Sequence, residues 1–98
     1  MRGGIETGLI LAHNGFGVVI SQEVTIGNDC TIYQYVSIGS GKNGYPTFEN
    51  KCVIFSNAVI VGDISIGDNC VIGANSFVNR NVESNTTVVG VPAHIIRK

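Results

Sequence analysis

The sequence predicts an all-β fold, a single-stranded parallel β-helix of triangular coils, and three observations predict it. An aliphatic residue returns every six places from Ile54, at Ile60, Ile66, Ile72 and Val78. A small or branched residue stands four places after each, at Ala58, Ile64, Cys70, Ser76 and Val82. Glycine or a polar residue, such as Gly67, Asp68, Asn69, Gly73 and Asn75, fills most places between. A helix needs apolar spacings of three and four, and a flat strand alternates in twos. A strict six fits neither; it is the mark of a hexapeptide β-helix, with one short strand and one corner per repeat.

The register runs back from this stretch. Ile20, Ile26, Ile32 and Ile38 keep the sixes, with Val24, Cys30 and Val36 four places on, and Ile5 with Leu9 and then Leu11 precede them. Two interruptions break the count. Three residues are extra between Leu11 and Ile20, and four between Ile38 and Phe48. Allowing for both, three columns align: Ile5, Ile26, Phe48, Ile66; Leu11, Ile32, Ile54, Ile72; and Ile20, Ile38, Ile60, Val78. The expected domain is a single stack of about five coils over residues 5–88, with strands about 4.8 Å apart and a tail over 89–98. After Val82 the pattern decays: Ser84 stands where an aliphatic residue is due, and Val88 is read as a four-on residue. Gly90 and Pro92 bracket a turn, so the tail is expected to leave the prism, with Ile95 and Ile96 packing back. Met1–Gly4 and the final HIIRK offer little to cap the ends, and capless repeat stacks associate.

Composition narrows the function. With 44% hydrophobic and 13% charged residues, the 98-residue chain has enough apolar side chains for a core. A net charge of −1 and no basic block argue against nucleic acid or a membrane surface as partner. No apolar run reaches the ~18 residues of a spanning helix, and MRGGIETG lacks the apolar stretch of a signal peptide; a cytoplasmic protein is expected. Cys30, Cys52 and Cys70 form no C-x-x-C pair, and His13 and His94 lie far apart in sequence. Each cysteine takes the small inward place of its hexad, so the three are read as one interior column of fillers, and no metal site is expected.

Regular coils are scaffold, so chemistry is sought in the interruptions. The first carries His13, a side chain able to act as general base near neutral pH or simply to complete a turn. The second, Gly39-Ser40-Gly41-Lys42-Asn43-Gly44-Tyr45-Pro46, offers flexible backbone N–H groups and one cation, suited to a phosphate or a pantetheine arm, though it lacks the Walker A spacing.

Taken together, the six-residue repeat, LAHNGFGVVI, VSIGSGKNGYPT, VIGANSFV and VVGVPAHII resemble the left-handed β-helix acyltransferases. The resemblance covers essentially the whole chain and is closest to the serine acetyltransferases and their polysaccharide O-acetyltransferase relatives. It implies a homotrimer with active sites between neighbouring prisms, and acetyl-CoA as co-substrate. His13 falls on the family's catalytic histidine, which deprotonates the acceptor for direct attack on the thioester. Gly39, Ser40 and Gly41, with Lys42, match the loop along the pantetheine arm. Ser56 and Ala74 match small residues beside the same arm, and Gly90, Pro92 and Ala93 match the tail near the nucleotide end. Asn14 and Tyr45 are the candidate acceptor contacts.

The sequence also departs from that pattern. Ala12 stands where serine acetyltransferases have Asp, Tyr45 where they have a second substrate histidine, and Gly44 where they have the arginine before it. Gly44-Tyr45-Pro46 instead fits the G-x-P of the polysaccharide-type relatives. The implied function is therefore O-acetyl transfer to a small hydroxylated acceptor, a sugar or polysaccharide precursor ahead of L-serine. The alternative is a non-catalytic β-helix serving as an assembly module. A γ-type carbonic anhydrase would need three histidines at its interfaces, and this chain has two.

Overall fold

The computed structural model describes residues 4–98, and it is a parallel β-solenoid of about four turns. The expected thinness of Met1–Gly4 falls, for residues 1–3, outside the described residues. The first turn contains β1 (Ile10–Leu11) and β2 (Val19–Ile20). The second contains β3 (Thr25–Ile26), β4 (Thr31–Ile32) and β5 (Ser37–Gly39). The third contains β6 (Thr47–Phe48), β7 (Val53–Ile54) and β8 (Val59–Val61). The fourth contains β9 (Ser65–Ile66), β10 (Val71–Ile72) and β11 (Phe77–Val78), and the chain closes with β12 (Thr87–Gly90) and β13 (Ala93–Arg97).

These strands form three faces. The first is β3-β6-β9, continued below by the Ile5–Ile26 bridge and above by the Ile66–Val82 bridge. The second is β1-β4-β7-β10-β12-β13, and the third β2-β5-β8-β11. Strand-centre residues pair in register as the sequence columns require: Leu11, Ile32, Ile54, Ile72 on the second face and Ile20, Ile38, Ile60, Val78 on the third. Ile26, Ile32, Ile54, Ile60, Ile66 and Ile72 are almost wholly buried, so like side chains stack at each level. Sequence predicts about five coils; parallel pairing, isolated bridges included, spans five levels on the first two faces and encloses about four full turns.

Two-residue strands need sharp corners, and the corners explain the polar residues. Asp29, Tyr35, Lys51, Asn57, Asn69, Asn75 and Asn85 all have φ between 57° and 63°. Each stands three places after a strand-centre residue. Asn and Asp enter this left-handed region at less cost than other side chains, hence the run of asparagines.

The edge between the first and second faces carries a further ladder. The Thr7 N–H donates to Asn28 Oδ1 (3.2 Å), Asn28 N–H to Asn50 Oδ1 (2.7 Å), Asn50 N–H to Asp68 Oδ1 (2.9 Å) and Asp68 N–H to Ser84 Oγ (2.9 Å). Just inside it lie the three buried cysteines, each thiol donating to a carbonyl one turn on: Cys30 to Glu49 (3.3 Å), Cys52 to Gly67 (3.1 Å) and Cys70 to Glu83 (3.0 Å). They are free thiols in one interior column, as the spacing predicts. Burial pushes Cys70 above the ordinary thiol value. Cys52 is pushed up as well, by hydrogen bonding with the neighbouring Cys30 thiol and then by burial.

The last turn corrects the sequence reading. Val82, not Ser84, is the strand-centre residue above Ile66, and Val88 pairs with Ile72. The corner from Val78 to Val82 is two residues short, which turns Ser84 into the top rung of the polar ladder and gives the four-on place to buried Thr86. The tail does not leave the prism. β13 folds back antiparallel on β12, pairing Val88 with Ile95 and Gly90 with Ala93, and so extends the second face. Ile95 and Ile96 remain 52% and 58% exposed. At the other end, the first-level residues Ile5 and Leu11 are 51% and 41% exposed, although their columns are buried above them.

The ladder and the thiol column give three expected outcomes. Asn50→Ala leaves the Asn28 N–H without its acceptor and should cost about 1 kcal/mol, measurable as a lower urea midpoint. The thiols should resist alkylation in the native protein and react fully after unfolding. Because Cys70 is raised in the folded state, its contribution is intact below the ordinary value of 9.0 and is lost as pH climbs above it. Cys70→Ala should flatten that alkaline loss in a thermal-melt series.

Candidate active site

The first interruption folds as a 3-10 turn, Ala12–Gly15, leaving β1 with a backbone that is not helical throughout. His13 (φ 53°, ψ 38°) and Asn14 (φ 59°, ψ 23°) both sit in the left-handed region. Two consecutive non-glycine residues there cost of order 1–3 kcal/mol each, and such strain concentrates where a side chain must be aimed. The Phe16 N–H donates to the His13 carbonyl (3.2 Å), and the Tyr35 N–H to the Phe16 carbonyl (2.9 Å), which ties the turn to the coil above. Gly17 lies so close under the Tyr35 ring that any Cβ there would overlap it.

These contacts place His13 at the edge between the second and third faces. Its ring centroid is 6.4 Å from that of Tyr33, tilted by 53°. Tyr33 in turn stacks on Phe55 (4.9 Å, 27°), while Phe16 meets Tyr35 edge-on (5.5 Å, 82°). His13, Asn14, Phe16 and Gln34 enclose a cavity of about 450 Å³. None of the four is Asp, Glu, Lys or Arg.

Above the cavity the same edge narrows to small residues. Gln34, Ser56, Ala74 and Gly90 each stand two places after Ile32, Ile54, Ile72 and Val88, which pair in register. The Asn57 N–H donates to Gln34 O (3.1 Å) and the Asn75 N–H to Ser56 O (3.0 Å), joining these levels. The Asn57 amide donates to Asn75 Oδ1 (2.6 Å) alongside. At the top the Gly90 N–H donates to Ser76 Oγ (3.1 Å), and Gly90 opens into the turn with Pro92 that leads to Ala93. Ser56, Ala74, Gly90, Pro92 and Ala93 therefore share the edge of His13.

The second interruption lies elsewhere, at the edge between the third and first faces. There the Gly41 N–H donates to Gly44 O (2.9 Å) and the Gly62 N–H to Gly39 O (3.3 Å). A Cβ on Gly41 would come within 2.6 Å of the Gly62 Cα, so only glycine lets the loop lie this close, whereas Gly39 faces open space. Gly41, Lys42 and Asn43 share a cavity of about 420 Å³ with Val61, Gly62, Asp63, Ile64 and Asn79. Ser40 is exposed, and Tyr45 is 36% exposed.

Within one chain, then, Gly39–Lys42 and Tyr45 are not brought to His13. The sequence reading also passed over Gln34, Tyr33 and Phe16. The signal for Gln34 was present, since it occupies the same place in its hexad as Ser56 and Ala74.

Comparison with known proteins now bears on this geometry. Residues 45–80 match the family model described as bacterial transferase hexapeptide (six repeats). The serine acetyltransferase of Synechococcus elongatus is 44% identical over 94 residues, covering 91% of this chain and 38% of the relative. That of Staphylococcus aureus strain N315 is 43% identical over 89 residues, covering 87% of this chain and 42% of the relative. Among solved structures, Neisseria gonorrhoeae serine acetyltransferase in complex with serine superposes with a TM-score of 0.85 at 35% identity, covering 94% of this chain and 39% of that one. Brucella abortus strain S19 serine acetyltransferase in complex with coenzyme A gives a TM-score of 0.86 at 33% identity, covering 92% of this chain and 37% of that one. The chain spans about two fifths of the length of these relatives. By repeat, register and superposition the chain is similar to the hexapeptide-repeat transferases and, over most of its length, to serine acetyltransferases.

Proposed function

We propose that this chain carries the catalytic region of an acetyl-CoA-dependent O-acetyltransferase, with His13 as general base. The observation that carries the reading is His13 held on strained backbone at the foot of the edge that carries Ser56, Ala74 and Gly90. A thioester is already activated, so proximity, one base and backbone N–H donors suffice. The His13 imidazole takes the proton from the acceptor hydroxyl as its oxygen attacks the thioester carbonyl. Collapse of the tetrahedral adduct breaks the C–S bond, and the proton passes to the departing thiolate. Ser56 and Ala74, with Gly90, Pro92 and Ala93 above, would line the pantetheine arm; Lys42 would face its phosphates.

Because Gly39–Lys42 and Tyr45 sit one edge away from His13, the reading includes a homotrimer. Threefold packing would set one copy's glycine loop against the next copy's His13 edge. The acceptor is argued from the cavity. The named relatives, one of them solved with serine, favour L-serine. The absence of an acidic or basic side chain from the His13 cavity, with Ala12, Gly44 and Tyr45 in place of Asp, Arg and His, favours a neutral hydroxylated acceptor such as a sugar. We place the sugar first and serine second.

His13→Ala should lower acetyl transfer by about 10²–10⁴-fold while leaving the trimer intact in sedimentation analysis. Full activity in that variant would remove His13 from the mechanism. Mixing His13→Ala with Gly41→Val copies, each inactive alone, should restore part of the activity after subunit exchange; no recovery would count against a site shared between chains. No binding of coenzyme A by calorimetry would favour an assembly module instead.

A further inference from the structure

One buried polar atom of a residue lining the His13 cavity has no partner. The Gln34 Oε1 is shielded from solvent, and no hydrogen-bond donor reaches it, the one such buried side-chain atom found among the described residues. A buried acceptor left unpaired costs about 1–3 kcal/mol, and native structures rarely keep one without a use. The neighbouring rungs make the cost avoidable. Gln34 shares its place in the hexad with Ser56, Ala74 and Gly90, so a small residue satisfies the fold at this edge, yet here the chain sets a long amide between Tyr33 and Tyr35. The Gln34 backbone is already engaged, its carbonyl accepting from the Asn57 N–H at 3.1 Å. Its side chain is therefore not needed to hold the corner.

Resting on the acetyltransferase reading, we infer that Gln34 is a specificity-determining residue, whose side-chain carbonyl accepts a hydrogen bond from a second hydroxyl or N–H of a neutral acceptor while His13 engages the reacting hydroxyl. Three observations carry this. Gln34 lines the same cavity as His13, Asn14 and Phe16. Its Oε1 is an acceptor awaiting a donor. The other lining residues bring no carboxylate, lysine or arginine that would match a charged partner. A site built to receive a donor rejects analogues that lack it, because the buried group is then left unpaired.

The test is Gln34→Met, close in size and without the carbonyl, together with Gln34→Glu. In the wild-type trimer, acetyl transfer is first followed by thiol release over a panel of amino acids, sugars and their deoxy analogues. With the best acceptor, Gln34→Met should raise the acceptor KM about tenfold, leave the coenzyme A affinity unchanged by calorimetry, and not lower Tm, since the amide bonds nothing in the free protein. The wild type should prefer the polyhydroxylated acceptor over its deoxy analogue, and Gln34→Met should lose that preference. Gln34→Glu should impair the acceptor KM at least as much. An unchanged acceptor KM in an active, folded Gln34→Met protein overturns the inference and leaves the acetyltransferase reading standing. A lower Tm with a uniform loss of activity overturns it as a structural role, and weaker coenzyme A binding with the acceptor KM intact assigns the amide to the acyl donor. No transfer and no coenzyme A binding by the wild type overturns both readings.

Discussion

The structure depends on the register of its strand-centre residues. Strands two or three residues long have no stability alone; each rung is held only by the rungs above and below. Large apolar side chains, mostly Ile, stacked level upon level in three columns are what make those rungs coincide. The edge between the first and second faces shows how strictly the register is kept. From Ile5 to Leu11, Ile26 to Ile32, Phe48 to Ile54, Ile66 to Ile72 and Val82 to Val88 the step is always six. That is also the edge with the side-chain-to-backbone ladder and the cysteine column. An extra or missing residue there would break both. All three irregular corners, two long and one short, fall on the other two edges.

Most of this was legible because a period of six is a property of the letters. The columns, the inward cysteines and both interruptions are read from spacing and recur in the coordinates. The last turn was not, because a two-residue deletion between Val78 and Val82 is masked by an accident of composition. Val82 sits four places after Val78, where a small inward residue is due, and Val88 sits where a later one would fall. Only pairing distinguishes a residue that is four-on from one that is strand-centre. β13 was missed for a related reason: HIIRK has no periodicity, and its strand character comes from pairing with β12 rather than from its own pattern. At the candidate site, the sequence located His13 but not the edge on which each interruption would lie. Counting corners gives that edge, and it separates the histidine from the glycine loop.

The site region combines two kinds of local expense, one in the backbone and one in a side chain. His13 and Asn14 occupy the left-handed region as a consecutive pair, off the regular corner pattern in which such residues appear singly. Gln34 adds an unpaired buried carbonyl at the same edge. Most regular corners lower the first cost with Asn or Asp, and the rungs above Gln34 avoid the second with small residues. The stack of rungs above supplies the stability against which these local costs are set.

The antiparallel course of β13 gives the molecule two unlike ends. At the lower end β1 presents a parallel edge of the kind each coil offers the next, with Ile10 and Leu11 uncovered. At the upper end that edge is occupied by a strand running the other way, so the parallel register stops on the second face. A further coil, from this chain or from a neighbour, would find no matching row of N–H and C=O groups there. The solenoid is thus polar along its axis and cannot be prolonged head to tail on that face. Natural β-proteins use the same device against runaway edge-to-edge growth, and here a five-residue strand provides it.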